Sequence, residues 1–198
     1  MVIVGITGTL GAGKGTVVEY LVREKQFAHF SVREFLREEL EKRQMPVNRD
    51  TLTAIANSIR AKHGPSHIAE ALIKKAKKLG LDCVIESIRT PGEVEALRRE
   101  EAFFLLAVDA DPRIRYKRIR QRNSETDRVS YTTFIMNEER EMHTNDPNKQ
   151  NLAACINAAD YVIRNDGSLA NLHRNTEAFL KHIGTGQKNN QGNNYDNQ

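Results

Sequence analysis

The sequence predicts an α/β domain built on a parallel sheet with helices on both faces, and three observations carry that prediction. Short apolar runs of β-type residues recur along the 198 residues, helical patterns separate them, and the first run leads into a glycine-rich turn. Strands buried on both faces read as nearly unbroken hydrophobic runs, and strand–helix alternation marks βαβ units. A chain of this length suits one such domain with a core that needs no staples.

The first strand is expected at 2–7, Val2-Ile3-Val4-Gly5-Ile6-Thr7. Gly8, Thr9, Leu10, Gly11, Ala12, Gly13, Lys14, Gly15 and Thr16 follow it, and Thr16 to Leu21 open an amphipathic helix. A glycine-rich turn between a buried strand and a helix lets successive backbone N–H groups converge on one point, where the positive end of the helix dipole adds to them. Lys14 then supplies a mobile point charge for outer phosphates. Gly15 stands where a metal-binding hydroxyl usually follows the lysine, so the hydroxyl comes one residue later, at Thr16.

A second strand is expected at 26–30, followed by three helical segments at about 31–43, 48–62 and 65–79. Asn48 suits an N-cap, and Pro65 after Gly64 suits a first helical turn. Three helices exceed what one crossover needs, so 31–79 reads as an inserted substrate-holding lobe. Ser31, Arg33 and Arg37 follow the second strand, with the two arginines on one helical face. Glu38, Glu39 and Glu41 continue the charge, so a solvated helix face accounts for the same pattern.

Further strands are expected at 82–87, 103–108 and 160–164. Ligands of open parallel sheets bind beyond the carboxyl ends of the strands, so the residues after each strand carry the chemistry. Glu86 ends the third strand, where a carboxylate beside a phosphate loop holds magnesium or orients a hydroxyl, or else caps a helix. Arg89, in a loop fixed by Pro91, is suited to bidentate phosphate binding. After the fourth strand, Asp109 to Pro112 open a helix rich in arginine, in which Arg118 and Arg122 share a face leading into a polar stretch at 121–131 that reads as a lid. Arg128, late in that stretch, and Arg140, beyond it, can return to the same site; for each of these arginines a plain surface charge is the alternative. Asn165-Asp166-Gly167 reads as a turn and helix start against which a purine rests. The final stretch, 184–198, is rich in Asn, Gln and Gly and reads as a disordered tail.

Composition narrows the function class. Thirty Lys plus Arg against 26 Asp plus Glu give a net charge of only +4, mixed along the chain, which argues against a dedicated nucleic-acid binder. No apolar stretch approaches the ~18 residues of a membrane span, and the start Met1-Val2-Ile3 lacks a basic leader, so a cytoplasmic protein is expected. Cys83 and Cys155 sit in apolar runs and read as buried residues. His63 and His67 are separated by Gly64-Pro65 and have no chelating spacing.

With these residues in place, the chain resembles the nucleoside monophosphate kinase group of P-loop kinases across about 2–182, in particular adenylate-kinase-related and dephospho-CoA-kinase-like proteins. The Gly-Lys-Gly-Thr that ends the adenylate kinase loop matches Gly13 to Thr16. In the family's Ser-Thr-Gly-Asp-x-Leu-Arg run, Ser31, Leu36 and Arg37 match while Val32, Arg33 and Glu34 differ. The resemblance implies that Arg37 binds the acceptor phosphate. Glu86 to Thr90 look like the family's Asp-Gly-Phe-Pro-Arg-Thr shortened by one, which implies the same duty for Arg89. The family's lid arginines look like Arg118 and Arg122, with Arg128 and Arg140 after the lid. Ala159 to Leu169 are similar to the closing strand and helix of dephospho-CoA kinases. The whole chain also resembles the kinase-like domain that accompanies deoxycytidylate deaminases in some fungi and an archaeal kinase family.

These readings together predict five parallel strands in the order 2-3-1-4-5, the P-loop NTPase kinase type. The expected reaction moves the γ-phosphoryl of ATP, with Mg2+, to a nucleoside or deoxynucleoside monophosphate. Gly8 to Thr16 with Asn165 are expected to hold ATP, Thr16 and Glu86 the metal, and Ser31, Arg33, Arg37 and Arg89 the acceptor. Lys14, Arg118, Arg122, Arg128 and Arg140 are expected at the transition state. The partners are small nucleotides, without nucleic acid or membrane. A dephospho-CoA kinase and a nucleotide-sensing module that does not turn its ligand over are the alternatives.

Overall fold

The computed structural model describes residues 1–122 and 129–184. Its centre is β1 (Ile3–Thr7), buried along its whole length and flanked on both sides by parallel neighbours. β3 (Cys83–Glu86) and β2 (Ala28–Ser31) extend the sheet on one side, β4 (Phe103–Asp109) and β5 (Tyr161–Arg164) on the other. The order is β2-β3-β1-β4-β5, all parallel, as the sequence predicts.

The two faces of β1 feed two cores. Ile3 joins Ile85 and Leu105 against helices α2 (Val32–Lys42), α3 (Arg49–His63), α4 (His67–Leu79), α5 (Pro91–Leu97) and α8 (Leu152–Asn157). Val4 and Ile6 join Val84, Leu106 and Ile163 against α1 (Lys14–Lys25) and α9 (Leu169–His182). The three helices between β2 and β3 therefore share one core with the sheet. α6 (Pro112–Arg122) and α7 (Tyr131–Met142) complete the chain order and flank residues 123–128, which lie outside the described residues. Most of the predicted lid at 121–131, including Arg128, falls there, as does the tail from 185 onward.

Local chemistry sets the ends of the helices. Ser31, Asn48 and Thr90 accept from the N–H three residues on and start α2, α3 and α5, and the last two complete reciprocal capping boxes with Thr51 and Glu93. β2 begins later than the apolar run because α1 ends through Gln26 in a left-handed conformation (φ 58°), which places Gln26 and Phe27 in the connecting turn. β3 stops at Glu86 because Ser87 turns left-handed (φ 68°). Cys83 and Cys155 are free and buried, and burial pushes their thiols up to about 11 and about 12. Among the described residues no helix is long and apolar enough to cross a membrane.

One buried ion pair ties α3 to the loop after β3. Arg60 Nη2 donates to Glu93 Oε1 at 2.7 Å, with both side chains at most 1% exposed. Glu93 Oε2 accepts from the backbone N–H of Arg89 at 2.9 Å and of Thr90 at 3.2 Å. Arg60 Nε and Nη1 are buried with no partner, so this charge already stands at a cost in desolvation. Arg60→Met leaves Glu93 charged and buried without its counter-ion, and is expected to lower the unfolding free energy by about 3–5 kcal/mol. Urea denaturation checks this; a loss below about 1 kcal/mol contradicts the assignment.

Candidate functional site

The turn between β1 and α1 is held in place by bonds that run away from its concave side. Thr9 Oγ1 donates to Asp109 Oδ1 at 2.5 Å, Arg115 Nη1 donates to the Leu10 carbonyl at 3.2 Å, and Asn165 Nδ2 donates to the Ala12 carbonyl at 2.8 Å. The Ala12 and Thr16 N–H groups bond within the turn to the Thr9 and Gly13 carbonyls at 3.3 and 3.1 Å, and anchoring the Leu10 and Ala12 carbonyls from outside leaves the N–H groups of Gly11, Gly13, Lys14 and Gly15 available, the kind of donor set that binds anions. Two glycines are required by this path. Gly8 (φ 128°) passes so close to β4 that a Cβ would lie 2.0 Å from the Val108 carbonyl oxygen. Gly13 (φ 102°) caps α1, and a Cβ there would meet Asn165 Nδ2 at 2.4 Å.

The braces are themselves fixed. Arg115 also donates from Nε to the Ala110 carbonyl at 2.7 Å, forks onto Glu138 of α7, and lies over the Phe134 ring at 5.4 Å. Asp109 additionally accepts from Arg164 at 3.1 Å. Arg115 is 2% exposed and Asn165 5%, so both serve the loop from behind.

Lys14 Nζ donates to the carbonyls of Gly8 at 2.8 Å and Thr9 at 2.6 Å. Part of the residue stays accessible along the loop while its ammonium is turned inward. Burial, with the nearby Arg89 guanidinium, lowers its pKa from 10.5 to about 7, against the opposing pull of Glu86 and Glu141. A cation held in so unfavourable a place gains from any anion that enters.

The loop opens onto a cavity of about 600 Å³. Of the sequence candidates, Leu10, Gly11, Gly13, Lys14, Gly15, Thr16, Arg33, Glu86, Arg89, Arg118 and Arg122 line it. Gly8, Thr9 and Ala12 belong to the loop's buried framework. Asn165, expected beside a purine, spends its amide on the Ala12 carbonyl instead. Ser31 caps α2 and bonds to Glu86. Arg37 is turned back onto its own helix, bonded to Glu34 and to Glu41 at 2.5 Å, so the solvated-face alternative describes it. Arg140 bonds to Asn137 at 2.7 Å and is not among the lining residues.

Arg118 donates from Nη2 to the Asn165 carbonyl at 2.9 Å, while its Nη1 is buried with no partner. Together with Lys14, that orphaned nitrogen fits a polyanion on the loop. For a divalent cation, Thr16 and Glu86 present hard oxygen donors to the same cavity, the ligand type that magnesium takes. Burial works to raise the Glu86 carboxyl, but bonds from His29 and Ser31 and the charge of Lys14 outweigh it, so it stays below the usual range and charged. Among the described residues there is no group of three or more His, Cys, Asp and Glu side chains able to hold a metal by themselves.

The cavity is also lined by residues that the sequence reading did not single out, among them Arg49, Thr53, Glu141 and Gln150. Arg89 is over-determined among them. Its carbonyl accepts from Asn151 at 2.9 Å, its N–H goes to Glu93, and its Nη1 donates to Glu141 at 2.6 Å and Gln150 at 3.0 Å. Burial raises the Glu141 carboxyl, but Arg89 and Arg49 together hold it below the usual range. The only sequence signal for Arg49 is its place directly after the Asn48 cap, and Glu141 carries none.

A buried strand, a braced glycine loop and an inward lysine, set in a 2-3-1-4-5 parallel sheet, define the P-loop kinase type of fold. A family model described as "AAA domain" matches residues 4–167, and the chain belongs to that family. It is similar to a UPF0200 protein of Pyrococcus horikoshii, 29% identical over 188 residues that cover 91% of this chain and 97% of that one. Among solved structures it is similar to TT1252 of Thermus thermophilus (TM-score 0.58, 23% identity, 91% of this chain and 97% of that one). It is similar also to shikimate kinase of Bacteroides thetaiotaomicron (TM-score 0.52, 13% identity, 92% and 98%). These structural likenesses establish the fold.

The lysine makes stability depend on pH. Unfolded Lys14 titrates near 10.5 and folded Lys14 near 7, so between these values the unfolded chain binds more protons and stability rises with pH. Without nucleotide, wild type is expected to gain about 1–2 kcal/mol more than Lys14→Met between pH 7 and 9, a figure discounted for the accessible part of the residue. Urea unfolding at the two pH values measures the gain; equal gains in both proteins contradict the buried ammonium.

Proposed function

We propose that this protein is an ATP-dependent phosphotransferase that moves the γ-phosphoryl group to a nucleoside or deoxynucleoside monophosphate, with Mg2+. The observation that carries the reading is that one cavity gathers two sets of cations, Lys14 and Arg118 from α1 and α6, and Arg33, Arg49 and Arg89 from α2, α3 and the loop after β3. A donor and an acceptor that are both anionic need two such seats, because each must be neutralised before the two can meet.

The loop amides and Lys14 bind the donor's β- and γ-phosphates. Arg89, fixed from three directions, holds the acceptor phosphate in line with them, and positioning of this kind supplies much of the rate in phosphoryl transfer. An oxygen of the acceptor phosphate forms a bond to the γ-phosphorus as the bond from that phosphorus to the β–γ bridging oxygen breaks, and the electron pair leaves on ADP. Lys14 follows the moving group, and Arg118 meets the charge that develops on its equatorial oxygens. Thr16 and Glu86 would hold Mg2+, which would supply further neutralisation of phosphate charge.

ADP release, assayed with ATP and Mg2+ across the ribo- and deoxynucleoside monophosphates and dephospho-CoA, tests the reading. Turnover with at least one monophosphate is expected, and Lys14→Ala is expected to lower it by roughly 10²–10³. Turnover with dephospho-CoA alone, tight ATP binding with no turnover, or a Lys14→Ala enzyme within about threefold of wild type contradicts it.

A further inference from the structure

Arg49 and Arg89 come from different parts of the chain, the first turn of α3 and the loop after β3, yet both reach one carboxylate. Arg49 Nη2 donates to Glu141 Oε1, and Arg89 Nη1 donates to Glu141 Oε2 at 2.6 Å. The arginine side chains are 28% and 25% exposed and the carboxylate 15%, so the guanidiniums are the more accessible members of a trio that lines the cavity together. Two adjacent guanidiniums repel each other unless an anion lies between them. Each fork has five N–H donors, of which Glu141 and Gln150 occupy a minority. The trio keeps a net charge of +1, from two arginines and one glutamate.

We propose that Arg49 and Arg89, yoked by Glu141, form the seat for the acceptor's phosphate monoester, with Glu141 as a positioning residue; this rests on the phosphotransfer reading above. The seat takes the dianionic phosphate on the free edges of both forks, the geometry in which arginine binds oxyanions best. Glu141 keeps the two forks side by side without touching the ligand. It does so from the end of α7, the helix that Arg115 also ties to the loop through Glu138.

The consequence runs against simple charge counting. Coulomb attraction alone predicts that Glu141→Gln, which deletes a negative charge, binds phosphate more tightly; a positioning role predicts weaker binding. The test is a 31P NMR titration of inorganic phosphate into the full-length protein saturated with Mg2+ and the non-hydrolysable ATP analogue AMP-PNP, which fills the loop. Arg49→Met is expected to weaken phosphate binding about tenfold, the loss of one charged hydrogen-bonding partner. Glu141→Gln is expected to weaken it about fivefold and Glu141→Asp to restore most of the loss, while AMP-PNP affinity reports that each variant is folded. Acetate at matched concentration is expected to leave the bound phosphate in place.

Phosphate binding that is unchanged in Arg49→Met, or equal or tighter in Glu141→Gln, overturns the proposal, and displacement by acetate overturns its assignment to phosphate. A wild-type protein that binds AMP-PNP but no phosphate overturns the seat alone. One that fails to bind AMP-PNP overturns the phosphotransfer reading and the seat with it.

Discussion

Three hydrogen bonds that draw the carbonyls of Leu10 and Ala12 and the side chain of Thr9 away from the cavity are the constraint on which the site depends. A backbone turn left to itself satisfies its carbonyls internally or with water. Here the partners come from the ends of the two strands beyond β1 and from α6: Asp109 at the end of β4, Asn165 just after β5, and Arg115 within α6. The strand order puts those elements on one side of β1 and puts β3 and β2, with Glu86 and Ser31, on the other. The sheet thus divides the work. One flank braces the loop, and the other, with α2 and α3, adds cations to the lining of the same cavity.

The same division explains why several arginines are not where a count along the helix suggests. In a helix, charged neighbours three and four residues apart satisfy one another first. Arg37 has Glu34 and Glu41 at those spacings and is taken by them, whereas Arg33 reaches the cavity. Arg115 is buried behind the loop and works as a strut, while Arg118, one turn on, lines the cavity. Within such a charge-rich lining the carboxylates matter as much as the cations. Glu141 and Glu86 are held charged, each beside a group of opposite sign, and they keep Lys14, Arg49 and Arg89 from repelling one another out of the space.

The sheet was legible in the sequence because its strands are short apolar runs in a chain of otherwise mixed charge. The phosphate loop was legible because glycine at Gly8 and Gly13 answers a backbone demand that no other residue meets cheaply. Ends of elements were less so: Gln26 turning left-handed moves the start of β2, and nothing in its residue type announces that. The proposed acceptor side was only half legible. Arg89 is marked by its place after a strand and before Pro91, but Arg49 and Glu141 lie 92 positions apart and meet only through tertiary packing. Asn165 carries the reverse lesson, since a polar residue after a strand reads as ligand-facing until its amide is found on the Ala12 carbonyl.

The central claim is that the amides of the turn after β1, held by their outward braces, converge on a polyanion. Backbone 15N–1H chemical shifts on titration with Mg2+ and ADP test it most directly. The account predicts the largest changes at Gly11 to Thr16, and predicts that Asn165→Ala, which removes the brace on Ala12, weakens ADP binding about tenfold while the sheet amides stay in register. Largest changes elsewhere, or an Asn165→Ala protein that binds ADP as tightly as wild type, would contradict it.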